Sequence, residues 1–191
     1  MSHTAAAISA DEALEILKKG NAGYISRGIS TGDVSAEKRT DTAHNGQHPY
    51  AIIITCSDSR VIPEAIFSAG IGDLFVIRLA GNVIDNHQLG SIEYAADHLG
   101  TNLIVVLGHT GCGAVDAAIN SDPEGFIKFI TDEIKTAIGP EKEPKKACIL
   151  NIMHSVRYIE SSLSIKKDEE EYGLKVIPAI YDISSGQVEF F

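Results

Sequence analysis

The chain has 191 residues, 44% hydrophobic and 22% charged, a composition that suits one folded domain with its own core and excludes a disordered or fibrous chain. Sixteen Lys and Arg against 26 Asp and Glu leave a formal charge of -10, so the surface is not the basic one that nucleic acid or an anionic membrane requires. Three cysteines, an odd number, do not make a disulfide framework.

Met1 to Ala10 lacks the basic and apolar regions of a signal peptide, and no stretch approaches the ~18 apolar residues of a membrane span. A cytoplasmic location is therefore expected, where free thiols serve as metal ligands or catalysts unless they are simply core. Ser9-Ala10-Asp11-Glu12 has capping-box spacing and opens a helix expected to end near Gly20. Asn21 to Gln47 is polar and broken by Gly28, Gly32 and Gly46, with a short helical piece around Ser35 to Ala43. Residues 1–47 thus read as a helical arm with little core of its own, suited to packing on something else, such as a partner subunit.

Ala51 to Thr55, Leu74 to Ile77 and Leu103 to Leu107 are unbroken apolar runs rich in β-branched residues. Such runs suit strands covered on both faces, as in a parallel sheet. Helical patterns lie between and after them: Asp85 to Gly100, then Gly125 to Ile138 with Phe126, Ile127, Ile130, Ile134 and Ile138 in step, then Ile149, Ile152, Val156, Ile159 and Leu163. Lys166 to Tyr172 reads as a charged connector, and Val176 to Ile183 with Gln187 to Phe191 as a terminal hairpin. The expectation is a single α/β domain over residues 1–191, with a mainly parallel central sheet flanked by helices.

Two segments place metal-competent residues directly after buried strands: Cys56-Ser57-Asp58-Ser59-Arg60 and Gly108-His109-Thr110-Gly111-Cys112-Gly113. Sites in open α/β sheets form at the carboxyl ends of strands. If the two strands are neighbours, Cys56, His109 and Cys112 meet. Two thiolates and an imidazole favour zinc over magnesium or calcium, and three ligands leave a fourth tetrahedral position. Water there makes the site catalytic; Asp58 there closes it. Arg60 can hold Asp58 away in a charge-assisted fork. The plain alternatives are that both cysteines are small buried hydrophobes and that Asp58 and Arg60 are an ordinary ion pair. Cys148 reads as a core thiol, His154 as structural, and His87 and His98 as surface or interface residues.

These residues resemble the β-class carbonic anhydrases. The resemblance is carried by C-S-D-S-R-V from Cys56 to Val61 with Pro63-Glu64, by G-H-T-G-C-G-A from Gly108 to Ala114, and by Gly46-Gln47 before the first strand. It continues through Arg78-Leu79-Ala80-Gly81-Asn82, with Leu79 where the family usually has Asn, through Gly90 to Ala95, and through Tyr181-Asp182-Ile183 to Phe191. It implies one zinc per subunit on Cys56, His109 and Cys112, with Asp58 and Arg60 as a catalytic dyad and Asp58 as fourth ligand in a closed form. It further implies reversible hydration of CO₂ to bicarbonate by zinc-bound hydroxide. Gln47 would donate to a substrate oxygen from the neighbouring subunit of a dimer or tetramer, and Gly81 and Asn82 would shape the pocket floor. Family members with a closed zinc carry Trp three positions before the first zinc cysteine. Ile53 stands there in this chain, and an open site is expected. Hydrolysis of carbonyl sulfide or carbon disulfide at the same zinc, and a non-catalytic zinc module, are the competing functions.

Overall fold

A computed structural model describes residues 8–191. The first seven residues, which belong to the stretch expected to carry no leader and to the expected N-terminal arm, lie outside the described residues. The opening helix α1 (Ala10–Arg27) has the expected capping box, with Ser9 Oγ accepting from Glu12 N and Glu12 Oε2 accepting from Ser9 N. It does not stop near Gly20 but runs on to Gly28, which takes the left-handed cap at φ 69°. Gly20 serves a close approach instead: a Cβ there would fall 1.9 Å from the Phe67 carbonyl oxygen.

The expectation of an arm without its own core is also corrected for α1. Ala10, Ala13, Leu17 and Asn21 are buried against the rest of the chain. The Asn21 side-chain amide donates to Ile66 O and Gly186 O, and its oxygen accepts from Val188 N at 2.9 Å. Helix α2 (Ala36–Asn45), capped by Ser35, differs: none of its residues is buried.

Five strands follow: β1 (Ala51–Thr55), β2 (Leu74–Arg78), β3 (Leu103–His109), β4 (Lys175–Tyr181) and β5 (Val188–Phe190). They form one sheet in the order β2-β1-β3-β4-β5, with the first four parallel and β5 antiparallel on β4. The mainly parallel sheet and the terminal hairpin are as expected. Every residue of β1 and β3 is buried, as an unbroken apolar run requires. Side chains alternate between two cores. Ile52, Ile54, Ile104 and Val106 face one that contains Ile134, Ile152 and Ile159; Ile53, Val105 and Leu107 face the other, which contains Leu17 and Phe67.

The helices are α3 (Pro63–Ile66), α4 (Asn86–Leu99), α5 (Gly113–Asn120), α6 (Ile127–Ile138), α7 (Pro144–Glu160) and α8 (Leu163–Tyr172), with a short 3₁₀ turn at Ala80–Asn82. Lys166 to Tyr172 is therefore helix rather than connector, because Ile165 and Asp168 bury one side of α8. Leu163 leaves the predicted stripe: it starts α8 and is 82% exposed. In α6 the stripe is buried only at its far end, at Ile134 and Ile138, while Phe126 and Ile127 face outward.

The chain runs outward from β1 to β2 and then returns to β3 on the other flank of β1. The β1/β3 junction is thus the point where the winding reverses, and a crevice opens there at the carboxyl ends. Thr55 Oγ donates to Leu107 O at 2.7 Å and ties the two strand ends together.

Candidate metal centre

Cys56 follows β1 directly, His109 is the last residue of β3, and Cys112 caps the start of α5 after a tight turn in which Gly111 has φ 66°. Their ligand atoms all lie within 4.8 Å of one another. The two sulfurs are 4.0 Å apart, and the three residues are 5%, 1% and 4% exposed, so the reading of unrelated core thiols gives way to a cluster.

His109 is oriented for ligation. Its Nδ1 lies 3.0 Å from the Thr110 carbonyl oxygen, which can only accept, so Nδ1 carries the proton and Nε2 presents a lone pair. That Nε2 is buried with no hydrogen-bond partner. An orphaned buried acceptor aimed between two cysteines is the pattern a metal satisfies. Soft sulfur with imidazole is a zinc set. The sulfurs are prepared for it. The hydrogen bond from Cys112 is the largest influence that draws the Cys56 thiol down, to about 4, with the Gly81 amide adding to it against burial. Cys112, which keeps the shared proton in the metal-free protein, is pushed up by the same bond and by burial. Gly81 N–H reaches the Cys56 sulfur at 3.2 Å.

Asp58 and Arg60 form the expected fork. Arg60 Nε donates to Asp58 Oδ1 at 2.9 Å and its Nη2 to Oδ2 at 2.7 Å, while the Arg60 amide adds a third bond to Oδ1. The arginine side chain, first of all, holds the Asp58 carboxyl well below the usual carboxylate range. Oδ2 is 3.9 Å from His109 Nε2, so the carboxylate borders the donor cluster while its lone pairs are engaged by arginine. Arg78, singled out only as part of a motif, donates to Cys56 O at 3.1 Å and Asp58 O at 2.7 Å and so pins the loop that carries both side chains.

Of the two residues expected at the pocket floor, Gly81 lies against Cys56, while the Asn82 side-chain amide donates to Ser155 Oγ. Gln47 does not join the cluster. It is exposed, and its Cα lies 4.0 Å from where a Cβ on Gly72 would stand, at the opposite end of the sheet. Leu79 is partly buried against the core, and Ile53 is fully buried. Cys148 is buried as expected, and burial raises its thiol to about 11. His154 pairs with Glu133 at 2.7 Å between α7 and α6, a structural contact. Asn151 and Ser155, which hold the 80–82 turn, were missed; they sit at helical spacing among apolar positions but carry no motif.

The family model for carbonic anhydrase matches residues 51–188, which include the whole cluster. The chain belongs to the carbonic anhydrase family. It is 42% identical over 131 residues to carbonic anhydrase 2 of Mycobacterium tuberculosis, an alignment covering 66% of this chain and 63% of that relative's length. The carbonic anhydrase of Mycolicibacterium smegmatis aligns to the same extent, at 42% identity over 131 residues. Among solved structures, the β-carbonic anhydrase CafA of Aspergillus fumigatus superposes with a TM-score of 0.75 at 26% identity, covering 95% of this chain and 89% of that one. A tetrameric β-carbonic anhydrase of Sordaria macrospora gives 0.71 at 28% identity, covering 82% and 91%. The fold is therefore that of the β-class enzymes. Among the described residues, no helix is long and apolar enough to cross a membrane.

Proposed function

We propose that this chain is a zinc-dependent carbonate dehydratase, hydrating CO₂ reversibly to bicarbonate. The single observation that carries the reading is the two-pronged Arg60–Asp58 fork set against the buried Cys56–His109–Cys112 cluster. A structural zinc module needs no device that competes for its fourth ligand.

Zinc on these three donors supplies a Lewis acid that makes hydroxide available near neutral pH. The residues around it do the rest. Asp58, kept ionised by Arg60, accepts a hydrogen bond at Oδ2 and donates none, so it fixes which way the attacking oxygen turns its lone pair. If Arg60 lets go, Asp58 can take the metal and shut the site. The Gly81–Asn82 turn, buried by α6 and α7, forms a rigid floor.

Gln47 enters from a partner subunit. Its exposure and its distance from the site within one chain, together with α2 before it, none of whose residues is buried, support a homo-oligomer in which α2 and Gln47 meet the neighbour's pocket. Residues 1–191 act as one domain, and the free thiols suit a cytoplasmic location.

The test is to measure CO₂ hydration by stopped flow and sulfide release from carbonyl sulfide and carbon disulfide on one zinc-loaded sample. Fast hydration is expected. Background hydration alongside steady sulfide release would reassign the substrate; neither activity in zinc-loaded protein would leave a zinc module.

A further inference from the structure

Helix α7 carries two buried polar residues one turn apart, Asn151 at 1% exposure and Ser155 at 3%, on a face otherwise made of Ala147, Cys148, Ile152, Val156 and Ile159. Buried polar side chains persist where their hydrogen bonds are made, and these bonds converge on one turn. Asn151 Nδ2 donates to Gly81 O at 2.7 Å. Ser155 Oγ lies 3.0 Å from Asn82 O and 3.2 Å from Asn151 O in its own helix, the shorter bond going to the turn. Asn82 Nδ2 donates back to Ser155 Oγ at 3.3 Å.

The turn so held is left-handed. Gly81 has φ 65° and Asn82 φ 48°, a left-handed conformation that a residue with a Cβ adopts at a cost. A Cβ at Gly81 would also fall 2.7 Å from Ile134 Cδ1. Glycine takes this backbone freely and the turn closes its own bond from Asn82 N–H to Leu79 O at 2.9 Å; the α7 side chains then tie its two free carbonyls, Gly81 O and Asn82 O, to the helix. What the turn delivers is the Gly81 N–H, 3.2 Å from the Cys56 sulfur.

The geometry points to Asn151, assisted by Ser155, as a positioning residue that holds the Gly81 amide on the Cys56 sulfur and so sets how strongly that thiolate donates to the metal. The amide draws electron density from the sulfur, and the metal is left more electrophilic. Hydrogen bonds from outside the ligand set tune metals in this way. The inference rests on the zinc reading and goes beyond it, since neither residue touches the metal.

Cobalt(II) in place of zinc reads the effect directly, because a sulfur-to-cobalt charge-transfer band reports the thiolate's donor strength. The native chain is expected to show that band. In Asn151→Ala it moves to lower energy, since a sulfur without its amide partner gives up electron density more readily. Ser155→Ala moves it the same way by less. Leu150→Ala, on the outer side of the same helix at 37% exposure, leaves it in place. Hydration by zinc-loaded Asn151→Ala falls about tenfold with zinc retained.

A folded, cobalt-loaded Asn151→Ala protein with the native band overturns the inference. If that variant does not fold, Ser155→Ala decides alone, and an unmoved band there overturns it equally. A native chain that binds cobalt without any sulfur band sinks the metal reading itself, and this inference with it.

Discussion

The two ends of β1 are built on opposite terms. At its carboxyl end, Cys56 joins His109 and Cys112 in a cluster that one chain completes alone, with every donor buried and the neighbouring carboxylate already paired. At its amino end, Gln47 and α2 remain on the surface with no buried contact of their own. The difference separates two kinds of site information. Metal ligands are fixed by strand order, because β1 and β3 are adjacent wherever the chain folds. A residue that folding leaves outside and far from the cluster, as Gln47 is, gains a role only if a neighbour brings a pocket to it.

The largest expected effect comes from breaking the self-sufficient end. Cys112→Ala should lose its zinc on dialysis and drop to background hydration, as metal analysis beside stopped flow will show; a variant that keeps one zinc per chain contradicts the ligand set. Arg60→Ala separates metal holding from catalysis. Zinc content should stay at one per chain while the hydration rate falls about 100-fold.

Gln47→Ala probes the other end, with a rate loss of about tenfold for one hydrogen bond. Mixing it with Arg60→Ala after dissociation sharpens the comparison. If Gln47 acts across subunits, each mixed pair holds one intact site and activity returns. If it acts within its own chain, every site stays broken.

Leu17→Ala checks the correction to the arm. With Leu17 fully buried, urea unfolding should show a loss of about 2–5 kcal/mol. Alanine at Thr40 in exposed α2 should change monomer stability little, and equal losses at both would erase the distinction between the two helices.

The smallest effect is in pH. Because Asp58 is held well below its ordinary value, the fork's contribution is fully present above the usual carboxylate range and is lost as pH falls from there to the depressed folded value. Thermal melts of the metal-free native chain and Asp58→Asn should differ by a constant amount from about pH 5 to 8, and the difference should start to shrink only below about pH 4 and keep shrinking as the pH is lowered further. Convergence at high pH instead would carry the wrong sign.

The strands were legible because their burial on both faces leaves an unbroken apolar run, and the ligands because each sits just past such a run. Misreadings arose where one residue type serves two purposes. Gly20 looked like a helix stop but makes room for the Phe67 carbonyl. The charged run of α8 looked like a connector because only Ile165 and Asp168 turn inward. Asn151 and Ser155 were not singled out at all, since sequence shows polarity but not the turn after β2 that their side chains meet. Gln47 could be reached only through resemblance, because within its own chain it is exposed and lies away from the crevice.

The central claim is most directly tested by a crystal structure of the zinc-loaded protein at neutral pH. The account expects zinc on Cys56, His109 and Cys112, with sulfur distances of about 2.3 Å, a water in fourth place and Asp58 still on Arg60. Zinc capped by the Asp58 carboxylate, with Arg60 turned away, would contradict it.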